Sequence, residues 1–233
     1  MSNLKGKVCF ITGGSNGIGL AVSESLLMQG ANIFDMSRNS KLQDKTNAGS
    51  VFSMNGDVGE ENDVVKAFKK CIEVFGTIDI LINNAGIGIP TTDLSNTDLE
   101  TYERMVNTNM RGVFLCHREA LKIMKPKKKG HIVNIISMAG QRTNPNAPVY
   151  CASKFGARGL SNGLADQVLK EGIKVTDVNP GPVDSGYWGD RTVPREKFLS
   201  VDHVARVITF VLDQPEDVVI REINFDNMKF LAK

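Results

Sequence analysis

The turn Thr12-Gly13-Gly14-Ser15-Asn16-Gly17-Ile18-Gly19 constrains this 233-residue chain more than any other stretch. Before it, Lys7-Val8-Cys9-Phe10-Ile11 is short, apolar and partly β-branched, the pattern of a buried strand. After it, Ile18 to Leu27 sets apolar residues at helical spacing. A strand, a glycine-rich turn and a helix in that order aim unpaired backbone N–H groups and the positive end of a helix dipole at one point. That suits a phosphate. Gly13 permits the sharp turn, Gly17 lets a pyrophosphate approach the backbone, and Gly19 lets the helix pack close to the sheet. The spacing is G-x-x-x-G-x-G, which leaves a plain strand-to-helix connection as the alternative. Later residues decide between the two.

Strand and helix patterns alternate along the rest of the chain. Short apolar runs predict strands at 31–36, 51–54, 78–82, 131–136, 173–178 and 218–225. Helical spacing predicts helices at 60–75, from near Asp98 to Met124, from Tyr150 to about Glu171 and at 202–212, with a short helix at 41–47. This alternation implies an α/β fold: a single doubly wound domain over 1–233, with a seven-stranded parallel sheet flanked by helices on both faces. Ligands of such sheets lie beyond the carboxyl ends of the strands. Gly13, Ser37, Asp57, Asn83, Ser137 and Pro180 fall there.

Composition narrows the function classes. Apolar residues make up 41% and charged residues 23%, an ordinary globular balance, and the net charge of +2 is too small to favour a nucleic-acid partner. The basic run Lys125-Pro126-Lys127-Lys128-Lys129 reads as a solvated loop before a strand, with a phosphate-bearing partner as the minor alternative. Cys9, Cys71, Cys116 and Cys151 lack C-x-x-C spacing and sit in apolar or helical stretches, as reduced thiols do. His117, His131 and His203 show no metal-ligand spacing, so no metal is expected. No apolar run approaches ~20 residues, so no membrane span is expected. The polar start leaves no room for a signal peptide, and the expected location is cytoplasmic.

Tyr150-Cys151-Ala152-Ser153-Lys154 is the second centre. Tyr150 and Lys154 are one helical turn apart and share a face. A free phenol has a pKa near ~10, too high for proton transfer at neutrality. A neighbouring ammonium at ~4 Å and an effective dielectric near ~20 favours the phenolate by roughly 4 kcal/mol. That corresponds to a lowering of about 3 pKa units, which would poise Tyr150 for general acid–base work. Alone, Y-x-x-x-K is as easily a helix surface pair. Its place just after the fifth strand, with the Ser137 hydroxyl at that strand's end, favours the chemical reading.

These residues together resemble the short-chain dehydrogenase/reductase family, in its subfamily with the short Rossmann domain. The resemblance runs from about Gly6 to about Leu212. Thr12 to Gly19 matches the family's T-G-x-x-x-G-x-G turn, and Asp57-Val58 matches the pair whose acid meets adenine. Asn83-Asn84-Ala85-Gly86 matches its N-N-A-G stretch, and Asn109 falls where the family has its catalytic asparagine. Ser137 stands thirteen residues before Tyr150, and Pro180-Gly181 matches the P-G motif. The resemblance implies four catalytic residues. Tyr150 exchanges a proton with the substrate oxygen, and Lys154 lowers the Tyr150 pKa and holds the nicotinamide ribose. Ser137 orients the carbonyl, and Asn109 helps hold a water that extends a proton relay. The implied cofactor contacts are Gly13, Ser15, Asn16, Gly17, Ile18, Gly19, Ser37, Arg38, Asp57, Val58, Asn84, Ala85, Gly86, Tyr150, Lys154, Pro180, Gly181, Val183 and Ser185.

The same resemblance bears on the cofactor. Members preferring NAD carry an acid at the end of the second strand. Counted from Gly30 that place is Ser37, followed by Arg38, whose planar fork suits a 2′-phosphate. NADP(H) is therefore expected, with NAD(H) possible. Asp35, one strand repeat earlier, is the alternative acid, and Asn16 stands where many NADP-preferring members have Arg or Lys. The resemblance implies a small carbonyl or alcohol substrate and a homodimer or homotetramer formed through the helices at 98–124 and 150–171. Ile87 to Ile89, Met138 to Asn144, Pro182 and Tyr187-Trp188 should wall the substrate pocket, with a substrate loop at about 182–200 whose stretch from Asp184 to Arg195 is expected to order over cofactor and substrate as a lid. Arg142 is a candidate for a carboxylate, and Trp188 for either a substrate cap or a subunit contact. Two other readings remain: a 3-oxoacyl-carrier-protein reductase, and a nucleotide-sensing or scaffold protein without turnover.

Overall fold

The computed structural model describes residues 4–40, 42 and 48–232. The helix expected at 41–47 lies outside the described residues, apart from Leu42. Nine strands and seven α-helices are described: β1 (Val8–Thr12), α1 (Gly17–Met28), β2 (Asn32–Ser37), β3 (Val51–Asn55), α2 (Glu61–Phe75), β4 (Ile80–Asn83), α3 (Leu99–Val106), α4 (Gly112–Lys127), β5 (Gly130–Ile135), α5 (Pro148–Val168), β6 (Ile173–Pro180), β7 (Val183–Asp184), β8 (Leu199–Ser200), α6 (Val201–Leu212), β9 (Glu222–Phe225) and α7 (Met228–Leu231). Seven strands form one parallel sheet in the order β3-β2-β1-β4-β5-β6-β9. The expected doubly wound α/β architecture is what the chain adopts.

Alternation along each strand divides the core. Cys9 and Ile11 face α1 and α6 with Ile33, Ile82, Val133 and Val178. Phe10 faces α2, α4 and α5 with Phe34, Leu81, Ile132 and Val175. Phe10 is fully buried and stacks on Phe68 at 4.1 Å and on Phe34 at 5.1 Å.

At the carboxyl ends the second face turns polar. Thr12, Asn83, Asn134, Asp177 and Glu222 stand opposite one another across five neighbouring strands. Asn83 Nδ2 donates to Asn134 Oδ1 at 2.8 Å, and Asn134 Nδ2 donates to Asp177 Oδ1 at 3.3 Å. His117 on α4 and Ser161 on α5 join from above. Burial pushes His117 down to about 4, so its neutral ring donates from Nε2 to Asn134 Oδ1.

Three expectations are corrected. The long helix starting at Asp98 is not continuous: the π turn Asn107–Arg111 separates α3 from α4. Such a turn inserts an extra residue and re-aims a side chain, here Asn109. The basic run is not a free loop. α4 continues to Lys127, whose Nζ meets Thr77, the Ile78 carbonyl and Asp79. Lys125 pairs with Glu171 and Lys129 with Glu216, so the charges tie neighbouring segments together. The last strand starts at Glu222, not at residue 218. A turn places the Val218 amide on the Pro215 carbonyl, and Lys174 Nζ donates to the Pro215 and Val218 carbonyls.

Candidate active site

A cleft of about 1650 Å³ opens at the carboxyl ends of the sheet. Gly13, Ser15, Asn16, Gly17, Ile18, Ser37, Arg38, Asp57, Val58, Asn84, Ala85, Gly86, Pro180, Gly181, Val183 and Ser185 line it, as do Ser137, Tyr150 and Lys154. Gly19 and Asn109 lie behind its wall and are buried.

The glycine-rich turn is held from two sides. Thr12 Oγ1 accepts from the Asn84 and Ala85 amides at 3.1 and 3.0 Å, while Asn84 Nδ2 donates to the Thr12 and Gly13 carbonyls at 2.9 Å each. From β2, Asp35 Oδ1 accepts from the Gly14 amide at 2.8 Å. A Cβ at Gly19 would overlap the Gly13 carbonyl oxygen, so α1 can pack this close only with glycine there. Asn16 is extended and its side chain does not cap α1. The Asn16 side chain therefore leaves the first amides of α1 uncapped, which fits an anion such as a pyrophosphate.

Asp35 is not available as the alternative ribose acid. It is fully buried, and beyond Gly14 its carboxylate accepts from Ser37 Oγ at 2.6 Å and from Ser40 Oγ. Arg38 is exposed on the cleft wall. Asp57 Oδ1 accepts from the Gly59 amide at 2.8 Å, and its own amide donates to Asp63.

At the other end, Ser137, Tyr150 and Tyr187 share the cleft wall, and the Tyr150 and Tyr187 rings lie 5.8 Å apart. Ser137 has φ 135, a rare region for a side-chain-bearing residue, and its hydroxyl accepts from the Ala139 amide at 3.1 Å. Lys154 Nζ donates to the Ile135 carbonyl at 3.0 Å. Burial pushes Lys154 down to about 8. Burial and Tyr187 push the Tyr150 phenol well above its ordinary range, and Ser137 draws it back. The expected lowering by Lys154 is not present here. The ammonium is directed at Ile135, and loss of water dominates the phenol.

Asn109 is engaged in three hydrogen bonds. Its Oδ1 accepts from the Ile87 amide, and its Nδ2 donates to the Ile87 carbonyl and to Ser153 Oγ. Ser153 Oγ in turn donates to the Tyr150 carbonyl at 2.7 Å. The side chain thus ties the loop after β4 to the helix bearing Tyr150.

The substrate end is walled by Ile87, Gly88, Met138, Arg142, Tyr187, Trp188, Phe230 and others. Trp188 packs within its own loop: Nε1 donates to the Val183 carbonyl at 2.7 Å, and the ring meets Phe198 at 5.0 Å. Arg142 reaches Asp226 at 3.3 Å. The loop's base is closed by the β7–β8 pair and by Arg195 on Asp184.

Sequence reasoning missed Thr12, Asp35 and Ser153 as supports, and Phe230 as a wall residue. Thr12 and Ser153 sit inside the two motifs and were accessible there. Asp35 and Phe230 carry no local signal.

Among the described residues, no three His, Cys, Asp or Glu side chains converge as a metal centre requires, and no helix is long and apolar enough to cross a membrane.

The family model for short chain dehydrogenase matches residues 7–195. An uncharacterized oxidoreductase of Staphylococcus saprophyticus is 31% identical over 231 residues, covering 96% of this chain and 98% of that protein. Among solved structures, an alcohol dehydrogenase from the archaeon Thermococcus sibiricus, complexed with 5-hydroxy-NADP, has a TM-score of 0.85 and 25% identity. It covers 96% of this chain and 97% of that one. A 3-ketoacyl-(acyl-carrier-protein) reductase from Brucella melitensis, complexed with NADH, has a TM-score of 0.86 and 26% identity over 97% of this chain and 99% of that one.

Proposed function

The chain belongs to the short-chain dehydrogenase family of oxidoreductases, and from that premise we propose that it is an NADP(H)-dependent carbonyl reductase or alcohol dehydrogenase acting on a small ketone, aldehyde or secondary alcohol. The observation that carries the reading is the meeting of Ser137 and Tyr150 in one cleft with the uncapped start of α1.

The uncapped turn would hold the pyrophosphate, Asp57 the adenine, and Arg38 a 2′-phosphate. When bound, the nicotinamide supplies or accepts a hydride. The chain's own residues handle the proton and the geometry. Tyr150, protonated at neutrality, donates to the carbonyl oxygen as charge develops there. The Ser137 hydroxyl donates to the same oxygen and fixes its position. Lys154, near its midpoint at about 8, can return a proton to the phenolate. Asn109 holds Ile87 and, through Ser153, the turn of α5 that carries Tyr150.

Exposed Phe114 on α4 and Phe155 on α5 support assembly of copies through these two helices. The likeness to the Brucella protein keeps a carrier-protein reductase as the second reading. The test is NADPH and NADH consumption over a panel of ketones, aldehydes, diketones and a 3-oxoacyl thioester. Turnover of a simple ketone supports the leading reading. Turnover of the thioester alone supports the second. Nucleotide binding without any turnover would sink both and favour a sensor.

A further inference from the structure

Tyr187 brings a second phenol to the reacting one. Its ring lies 5.8 Å from the Tyr150 ring at 52°, and each phenol acts on the other's proton affinity. This position is built. A Cβ at Gly88 would overlap the Tyr187 hydroxyl, so glycine there leaves the notch that receives it. Arg191 sits 4.9 Å over the Tyr187 ring and also donates to the Tyr187 carbonyl. Trp188 meets the ring edge-on at 5.2 Å. Both phenols are held above their ordinary range by burial, so both are protonated donors at neutrality.

The ring contact and the notch at Gly88 set the two phenols side by side at the substrate end of the cleft. A substrate with oxygens on adjacent carbons offers two acceptors side by side. A carbonyl oxygen entering between Ser137 and Tyr150 takes the Tyr150 proton as its hydrogen bond. The Tyr187 hydroxyl then faces whatever occupies the neighbouring carbon. A second oxygen there gives it an acceptor, whereas a hydrocarbon leaves this half-buried donor without one.

Resting on the reductase reading above, we propose that Tyr187 is a specificity residue selecting carbonyl substrates with an oxygen on the adjacent carbon: α-hydroxyketones and 1,2-diketones, and vicinal diols in the reverse direction. In the reduction, hydride from NADPH adds to the carbonyl carbon and the C=O π pair takes the Tyr150 proton. The ketone becomes a secondary alcohol and NADPH becomes NADP⁺. Tyr187 donates to the neighbouring oxygen and keeps its proton throughout.

The test compares 3-hydroxybutan-2-one with butan-2-one in wild type and Tyr187→Phe. Wild type should favour the hydroxyketone in kcat/KM by about 10-fold or more, chiefly through KM, and Tyr187→Phe should lower that ratio by about 10-fold. A ratio that the substitution leaves unchanged, or a wild type that favours butan-2-one, overturns the proposal. If wild type turns over neither ketone with either nucleotide, the reductase reading fails separately. A binding readout then remains. Trp188, the only tryptophan, lies against Tyr187 and reports occupancy by fluorescence. Butane-2,3-diol should perturb it at lower concentration than butan-2-ol in wild type, and this difference should vanish in Tyr187→Phe. Equal responses to the two alcohols in wild type overturn the proposal.

Discussion

Asn109 grips both backbone groups of Ile87, accepting from its amide at 2.9 Å and donating to its carbonyl at 2.8 Å. The side chain is fully buried, and its position comes from the π turn between α3 and α4. Asn109→Ala would leave the Ile87 groups unpaired. Ile87 is half-buried on the cleft wall, so the expected cost is about 0.5–1.5 kcal/mol per lost bond. A urea melt should show a lower midpoint at unchanged slope. A midpoint equal to wild type would show that the grip contributes nothing to stability.

Asp177 links stability to pH. Burial pushes its carboxyl up to about 6, with Ser161 and Asn134 pulling the other way, and its Oδ2 has no hydrogen-bond partner. Glu222 raises it further and Arg158 lowers it. A group whose folded pKa is raised binds its proton more tightly when folded. Stability from this residue is therefore fully present below about 4 and lost as pH rises through about 6, amounting to about 3 kcal/mol. Asp177→Asn should gain stability relative to wild type as pH moves from 5 to 8. Parallel stability curves for the two proteins across that range would contradict the assignment.

The pH dependence of reduction should follow Lys154. Its pKa of about 8 means the proton available to recharge Tyr150 is lost above that value. The profile of kcat/KM for reduction should bend downward near pH 8. Tyr150→Phe should lower kcat by about 10²- to 10⁴-fold with the fold intact, as read by circular dichroism and nucleotide binding. Undiminished reduction in that variant would remove the phenol from the mechanism.

Cofactor choice should turn on Arg38. The ratio of kcat/KM for NADPH over NADH should exceed one, and Arg38→Asp should bring it below one. Asp35, the other acid nearby, should not influence the ratio directly, because its carboxylate faces the Gly14 amide. A wild-type preference for NADH would overturn the assignment.

What the sequence makes legible follows the range of the interactions. The Gly13 turn, the pair Tyr150 and Lys154, and the strand–helix alternation are encoded by spacing within a few residues. The sheet and the cleft follow from them. Tyr187 meeting Gly88 depends on two loops a hundred residues apart, and no local pattern announces it. The π turn at Asn109 is equally hidden, because its driving contacts are with Ile87 and Ser153 on other elements. The direction of the Tyr150 shift is not legible from spacing for a related reason. Spacing puts Lys154 on the right face, but only the packed structure shows its ammonium turned to Ile135.

The row from Thr12 to Glu222 has a consequence for assembly. Each strand contributes one rung at the same height, and alternate residues point to opposite faces. Sliding β5 by a single position would swing Asn134 to the far side and strand Asn83, His117, Ser161 and Asp177 together. The shelf therefore acts as an alignment key, admitting one stacking of the strands in which the glycine-rich turn and the Tyr150 phenol end up level.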